Sequence, residues 1–187
     1  MANRADNFNR ANSNPIGVPS DGGSAWVNLL GTYEVVSNQA YGGGHASPVC
    51  YLEASSSSVD ITTKISFVAI NAGIAFRIID ASNFLFCTIN STQLSLWKKV
   101  DGVDSQIGAT QTIAYSALAP LKVTVDSANL ITCYYNGVSK LSLTASENST
   151  GTKHGLRNAA TTNRFDDFSI TDISVSVPVI LNTRKEL

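Results

Sequence analysis

Charge is what this chain has least of. Asp, Glu, Lys and Arg make up 14% of its 187 residues, where about 25% is usual in a globular domain. Lys and Arg number 13 against 14 Asp and Glu, a net charge of −1. No basic stripe is left to neutralise phosphates, so neither nucleic acid nor an anionic membrane surface is expected as a partner. No apolar run approaches the ~18 residues of a membrane span. The opening Met1-Ala2-Asn3-Arg4-Ala5-Asp6 has no apolar segment behind its charge, so no secretory signal is expected. Cysteine is scarce as well. Cys50, Cys87 and Cys133 are odd in number, far apart, and set in apolar strand-like runs. Buried thiols are expected, not disulfides or metal ligands, and synthesis in a reducing cytoplasm follows. Helical periodicity is missing over any three turns; Ala114 to Ala119, before Pro120, could form a single helical turn.

What is present is alternation with period two, recurring about every ten residues, the pattern of a sandwich or barrel. Val59, Ile61, Thr63, Ile65 and Phe67 share one phase; Asp60, Thr62, Lys64 and Ser66 share the other. Ile74, Phe76 and Ile78 alternate with Ala75, Arg77 and Ile79. Similar strands are expected at 94–99, 121–125 and 141–144, each with one core face and one solvent or groove face. Asp101-Gly102 and Asn136-Gly137 read as two-residue hairpin turns, because both positions tolerate positive φ. Residues 11–25 read as a Pro- and Gly-rich loop, and His45 and His154 as loop histidines. Near the end the phase slips between Phe168, Ile170 and Ile173, Val175, Val177, so a bulge or a crossing between sheets is expected at Thr171-Asp172. Two acidic-aromatic strand signals, Asp6-Asn7-Phe8 and Asp166-Asp167-Phe168, bracket all of this. Pairing of first and last strands would hide an edge.

Asp6-x-Phe8-x-Arg10, Trp26, Gly31-Thr32-Tyr33-Glu34-Val35 and Asn38-Gln39-Ala40 form an opening that resembles concanavalin A-like, laminin-G-like jelly rolls. The middle is similar too, in Gly73-Ile74-Ala75-Phe76-Arg77-Ile78-Ile79-Asp80, in Asn83-Phe84, and in Tyr134-Tyr135-Asn136-Gly137; Phe165-Asp166-Asp167-Phe168 closes the match. The resemblance implies an all-β antiparallel jelly-roll β-sandwich over residues 1–177, with a C-terminal extension over 178–187. Such domains occur in bacteriophage structural proteins and in lectins and glycosidases, so the resemblance fixes fold more than function.

Glycosidases of this fold resemble one another in a Glu-x-Asp-x-Glu strand carrying the catalytic pair. Here Glu34, Glu53, Glu147 and Glu186 each lack a carboxylate two positions away, and Asp166 and Asp167 are adjacent, which points them to opposite faces. No enzyme is expected. Asp21, Asp80, Asp101 and Asp104 could offer oxygens to a structural calcium ion at the rim, but turn chemistry accounts for them equally, and no cofactor is called for. Sugar rings stack on aromatic faces. Trp97, in phase with Ser95 and Lys99, therefore marks a candidate carbohydrate groove, to which Arg77 and Tyr135 (or Tyr134, depending on register) could contribute. Trp97 at a subunit contact is the other reading. The resemblance to domains of bacteriophage structural proteins, taken with the low charge, the missing catalytic set, the absent secretory signal and the apolar Val179, Ile180 and Leu181 of the extension, implies a virion structural protein. It would be a capsid decoration or cement protein, or a tail component, made in the host cytoplasm, with other capsid or tail subunits and further copies of itself as partners. A carbohydrate-binding module for host glycan is the alternative.

Overall fold

The structure of the protein, a computed structural model, describes residues 3–173. The extension residues Val179, Ile180 and Leu181 lie outside the described residues. Fifteen strands run through the described part: β1 (Arg4–Asp6), β2 (Val27–Leu30), β3 (Thr32–Val36), β4 (Gln39–Gly43), β5 (Val49–Glu53), β6 (Val59–Phe67), β7 (Ala72–Asp80) and β8 (Asn83–Ile89). They continue with β9 (Gln93–Val100), β10 (Val103–Thr112), β11 (Pro120–Val125), β12 (Leu130–Tyr135), β13 (Val138–Thr144), β14 (Lys153–Arg157) and β15 (Arg164–Asp172). One antiparallel sheet has the order β13-β12-β11-β6-β15-β4-β3, with β1 also on β15; the other is β10-β9-β8-β7-β14-β5-β2. The expected jelly-roll sandwich is what the chain forms.

The inner faces meet in one core, with Ile61, Ile65, Val123 and Ile131 from the first sheet against Ile74, Phe76, Leu85 and Leu96 from the second. Cys50, Cys87 and Cys133 are free and buried in it, as their apolar runs imply. The Cys87 thiol is hydrogen-bonded to Cys133, and that bond, with burial, pushes its pKa well up. The chain ends close as the bracket suggests: Arg4 pairs with Ile170 and Asp6 with Phe168. The opening motif acquires a physical meaning here. The buried Asp6 carboxylate accepts two bonds from Arg10, 2.6 and 3.0 Å, and one from the Trp26 indole N–H at 2.8 Å. Trp26 packs on Phe168 at 5.0 Å and on Phe8 at 6.1 Å. One carboxylate thus ties the entry loop to the closing strand.

Both two-residue turns form. Asp101 and Gly102, and Asn136 and Gly137, all have positive φ and join directly paired strands. Four expectations need correction. Phe67 is 52% exposed, because the register of β6 on β15 shifts between Arg164 and Phe165 and the last residue of β6 leaves the core. The bulge near the end sits at Asp167, φ 45, between Asp166 and Ser169, and the ladder through Thr171 and Asp172 is regular. Ala114 to Ala119 is a bend closed by Ala119 N–H to Ser116 O, 3.1 Å, with no helical turn. His154 is on β14 and fully buried, not in a loop.

Candidate functional site

The seven-stranded sheet is apolar on its outer face as well. Phe84 and Phe86 alternate with the core residues Leu85 and Cys87, and together with Val49, Ala75 and Ile78 they form a second buried cluster, flanked by Tyr51 and Trp97. Register places Trp97 opposite Phe86 on β8, and Phe86 opposite Ala75 on β7. The Trp97 and Phe86 rings are parallel within 4° at 6.2 Å. Ser95 and Lys99 share this face, as their phase predicts.

One strand further, Arg157 on β14 lies opposite Gly73. With no side chain at Gly73 to block it, the guanidinium reaches across β7 and sits 4.1 Å over the Phe86 ring. Gly73 is required there: an added Cβ would fall 1.9 Å from the Cys87 carbonyl oxygen. Trp97, Phe86, Thr88, Asn71, Asp104 and Arg157 line a cleft of about 200 Å³. Asp104 is held by Lys99 at 2.7 Å and lies 3.8 Å from Arg157. Arg157 is 7% exposed, and burial lowers its pKa from the ordinary value.

Of the three residues expected in a groove, only Trp97 is there. Arg77 is 1% exposed and points inward. Its φ of 48 and the register shift of β7 on β14 between Ala75 and Ile78 insert an extra residue into β7, which turns Arg77 out of phase and moves Ile78 to the outer face. Its guanidinium donates to Ala145 O at 3.2 Å, Asn129 Oδ1 at 2.8 Å and Ser57 O at 3.4 Å, and its backbone N–H donates to His154 Nδ1 at 3.2 Å. His154 therefore carries its proton on Nε2, 3.0 Å from Ser56 O. Burial, first of all, lowers its pKa from 6.5 to about 4. Tyr135 is 3% exposed, in the core, because it shares the phase of Ile131 and Cys133; its hydroxyl accepts from Ser116 N–H and donates to Ser116 O. Tyr134 is the outward residue, but on the other sheet. There it lines a groove of about 380 Å³ with Thr62, Pro120, Lys122 and Gly137.

Arg157, Thr88 and Asn71 were not legible as site residues. Phe84 to Ile89 is nearly all apolar, so its phase cannot be read, and the Gly155 between His154 and Arg157 masks the alternation of β14. Among the described residues no three His, Cys, Asp or Glu side chains converge on a metal position. Asp21 pairs with Arg4, Asp80 caps the turn at Ser82 and Asn83, and Asp104 pairs with Lys99.

Among solved structures, the fold is similar to the carbohydrate binding module CBM66 from Bacillus subtilis, with TM-score 0.61 and 16% identity over 76% of this chain and 91% of that one. It is also similar to the carbohydrate recognition domain of Emp47p, with TM-score 0.55 and 12% identity over 92% and 95% of the two chains. The fold is a jelly-roll β-sandwich. The metal-free carbohydrate recognition domain of Emp46p is a further neighbour of this jelly roll, at TM-score 0.52 and 10% identity over 81% and 89%. No protein-family model and no curated protein sequence matches the chain. At these identities the likeness is one of fold.

Proposed function

We propose that this jelly roll is a non-catalytic carbohydrate-binding domain whose ligand docks against Trp97. The observation that carries the reading is the cleft itself. A partly exposed indole stands beside Asn71, Thr88, Asp104 and Arg157, an apolar platform with a few convergent polar groups. Structural neighbours that are themselves carbohydrate-binding modules and recognition domains support it. At about 200 Å³ the cleft is smaller than the ~300–1,000 Å³ of pockets for drug-sized ligands, a size for a terminal sugar unit.

The non-catalytic part rests on the carboxylates. Glycoside hydrolysis uses two, flanking the bond; the cleft is lined by one, Asp104. Glu34 is bonded to Asn14 and Tyr41, Glu53 to Thr152 and Glu147 to Lys98, all away from the cleft. The virion-structural reading draws on an extension outside the described residues, and no observation favours it over sugar binding. The test is glycan binding by the wild-type domain and by Trp97→Ala. The substitution is expected to weaken binding at least tenfold, about 1.4 kcal/mol, with the unfolding midpoint little changed. Equal binding by both proteins would remove Trp97 from the site, and no binding of any glycan by the wild type would end the proposal.

A further inference from the structure

Among the described residues, Arg157 is the cleft side chain with a buried nitrogen left without a hydrogen-bond partner. It is 93% buried by its 7% exposure, yet its Nε is buried without a hydrogen-bond partner. Nη2 donates to Ser47 Oγ at 3.2 Å. The nearest carboxylate oxygen, Asp104 Oδ2, is 3.8 Å away, beyond hydrogen-bonding distance, while Oδ1 of the same group is taken by Lys99 at 2.7 Å. A guanidinium offers five N–H donors in a planar fork and cannot shed its charge. Buried groups of this kind are normally satisfied. Arg157 is the cation of the cleft lining, and the one carboxylate beside it, Asp104, is shared with Lys99 just outside the cleft, so two cations face a single carboxylate.

The aromatic surroundings strengthen the case. Phe86 lies under the guanidinium and Trp97 stands beside Phe86 in the same plane orientation. These rings strip water from the cation without offering it an acceptor, which raises the worth of an anion brought to it. A neutral sugar would supply hydroxyl acceptors but leave the excess charge. A sugar bearing an anionic group would answer both, with its ring on Trp97 and two anionic oxygens on the fork.

Building on the carbohydrate-binding reading, we infer that the ligand is an acidic glycan, whose carboxylate or sulfate group pairs with Arg157 while its ring rests on Trp97. The experiment is a glycan array carrying uronate-, sialate- and sulfate-bearing glycans beside their carboxyl-reduced or desulfated counterparts. It is probed with the wild-type domain, with Arg157→Lys and with Asp104→Asn. Wild type is expected to bind acidic glycans at least tenfold more tightly than the matched neutral ones. The class retained, carboxylated or sulfated, identifies the anion. Arg157→Lys keeps a cation over Phe86 but loses the two-pronged fork, so the acidic preference is expected to shrink to threefold or less. Asp104→Asn removes the competing carboxylate and is expected to strengthen acidic binding severalfold; it leaves the Arg157 packing intact, so it reads the charge balance even if the arginine variant folds poorly. Neutral glycans bound as tightly as acidic ones, or Asp104→Asn weakening acidic binding, would overturn the inference while leaving carbohydrate binding in place. No glycan bound at all would overturn both.

Discussion

Val49, Ala75, Phe84 and Phe86 lie on the outer face of the seven-stranded sheet and are nonetheless buried. Leu29, Leu30, Tyr51 and Trp97 pack on them, and long cationic side chains lie over the rings: Arg157 over Phe86, Lys99 over Phe84 and Lys153 over the flanking Tyr51. The outer face of the eight-stranded sheet is different. Asp60 holds Lys122 at 2.6 Å and Thr124 at 2.6 Å, Thr132 meets Ser142 at 3.0 Å, and Lys64 meets Asp167 at 2.7 Å. There these polar groups pair with one another. The contrast teaches where to look for a ligand. A face whose polar side chains satisfy one another is a solvent face. A face where an arginine is buried over an aromatic ring with its Nε unpartnered is where the proposed ligand would dock.

The sharpest way to test that difference is to break a buried cation on the seven-stranded sheet. Arg77→Met would leave Ala145 O, Asn129 Oδ1 and Ser57 O without their donor at the junction between the sheets. The expected loss is about 4 kcal/mol, in the range for breaking a buried charged network, read as a fall in the denaturant midpoint. A loss below about 1 kcal/mol would show that the bulged segment is not the clamp between the sheets that its bonds suggest. Next comes acid. His154 has a pKa of about 4 folded against 6.5 unfolded, so the unfolded chain binds the proton first. Its contribution is fully present above pH 6.5 and is lost as pH falls from 6.5 towards 4. The total is about 3 kcal/mol, at 1.36 kcal/mol per pKa unit. Replacing His154 by Gln should flatten stability across that window. An unchanged slope would assign the acid sensitivity to other groups.

Much of the first sheet was legible because its strands bury one face only. Alternation in β6, β11 and β12 separates inside from outside, and the Asn-Gly turn fixes register at the β12–β13 hairpin. The bracket of Asp6 and Phe168 was readable for the same reason. The second sheet resisted. A strand buried on both faces, such as β7 with Ile74, Ala75 and Phe76 all at 0% exposure, carries no phase. One residue inserted near Arg77, seen in the register of β7 on β14, then reversed the assignment downstream. The cleft is assembled from two such strands, β8 and β14, and from β9, with Asn71 and Asp104 at its rim. That is why Trp97, whose strand β9 still alternates, was the one of the three expected groove residues that lines the cleft.

Binding should separate the two faces with a smaller free-energy effect. Trp97→Ala is expected to weaken glycan retention at least tenfold, about 1.4 kcal/mol, while Tyr134→Ala, on the other sheet, should change it less than twofold. Affinity chromatography of both variants on the same immobilised glycan reads the ratio. A larger loss from Tyr134→Ala would move the site to the groove beside Lys122 and reverse the comparison.

The smallest expected effect is on the eight-stranded face. Lys122 pairs with Asp60 while it overhangs the Tyr134 ring at 5.6 Å, with side chains 37% and 30% exposed. Solvent screens such a pair, and its two long or mobile partners lose rotamer freedom to hold it. Lys122→Met is therefore expected to change unfolding free energy by less than about 1 kcal/mol, with any loss shrinking further in 1 M salt, where screening acts over ~3 Å. Chemical denaturation at low and high salt measures both. A loss comparable to that of Arg77→Met would mean that the polar network around Asp60 holds tertiary structure. Satisfied polarity on a face would then no longer distinguish a solvent surface from a working one.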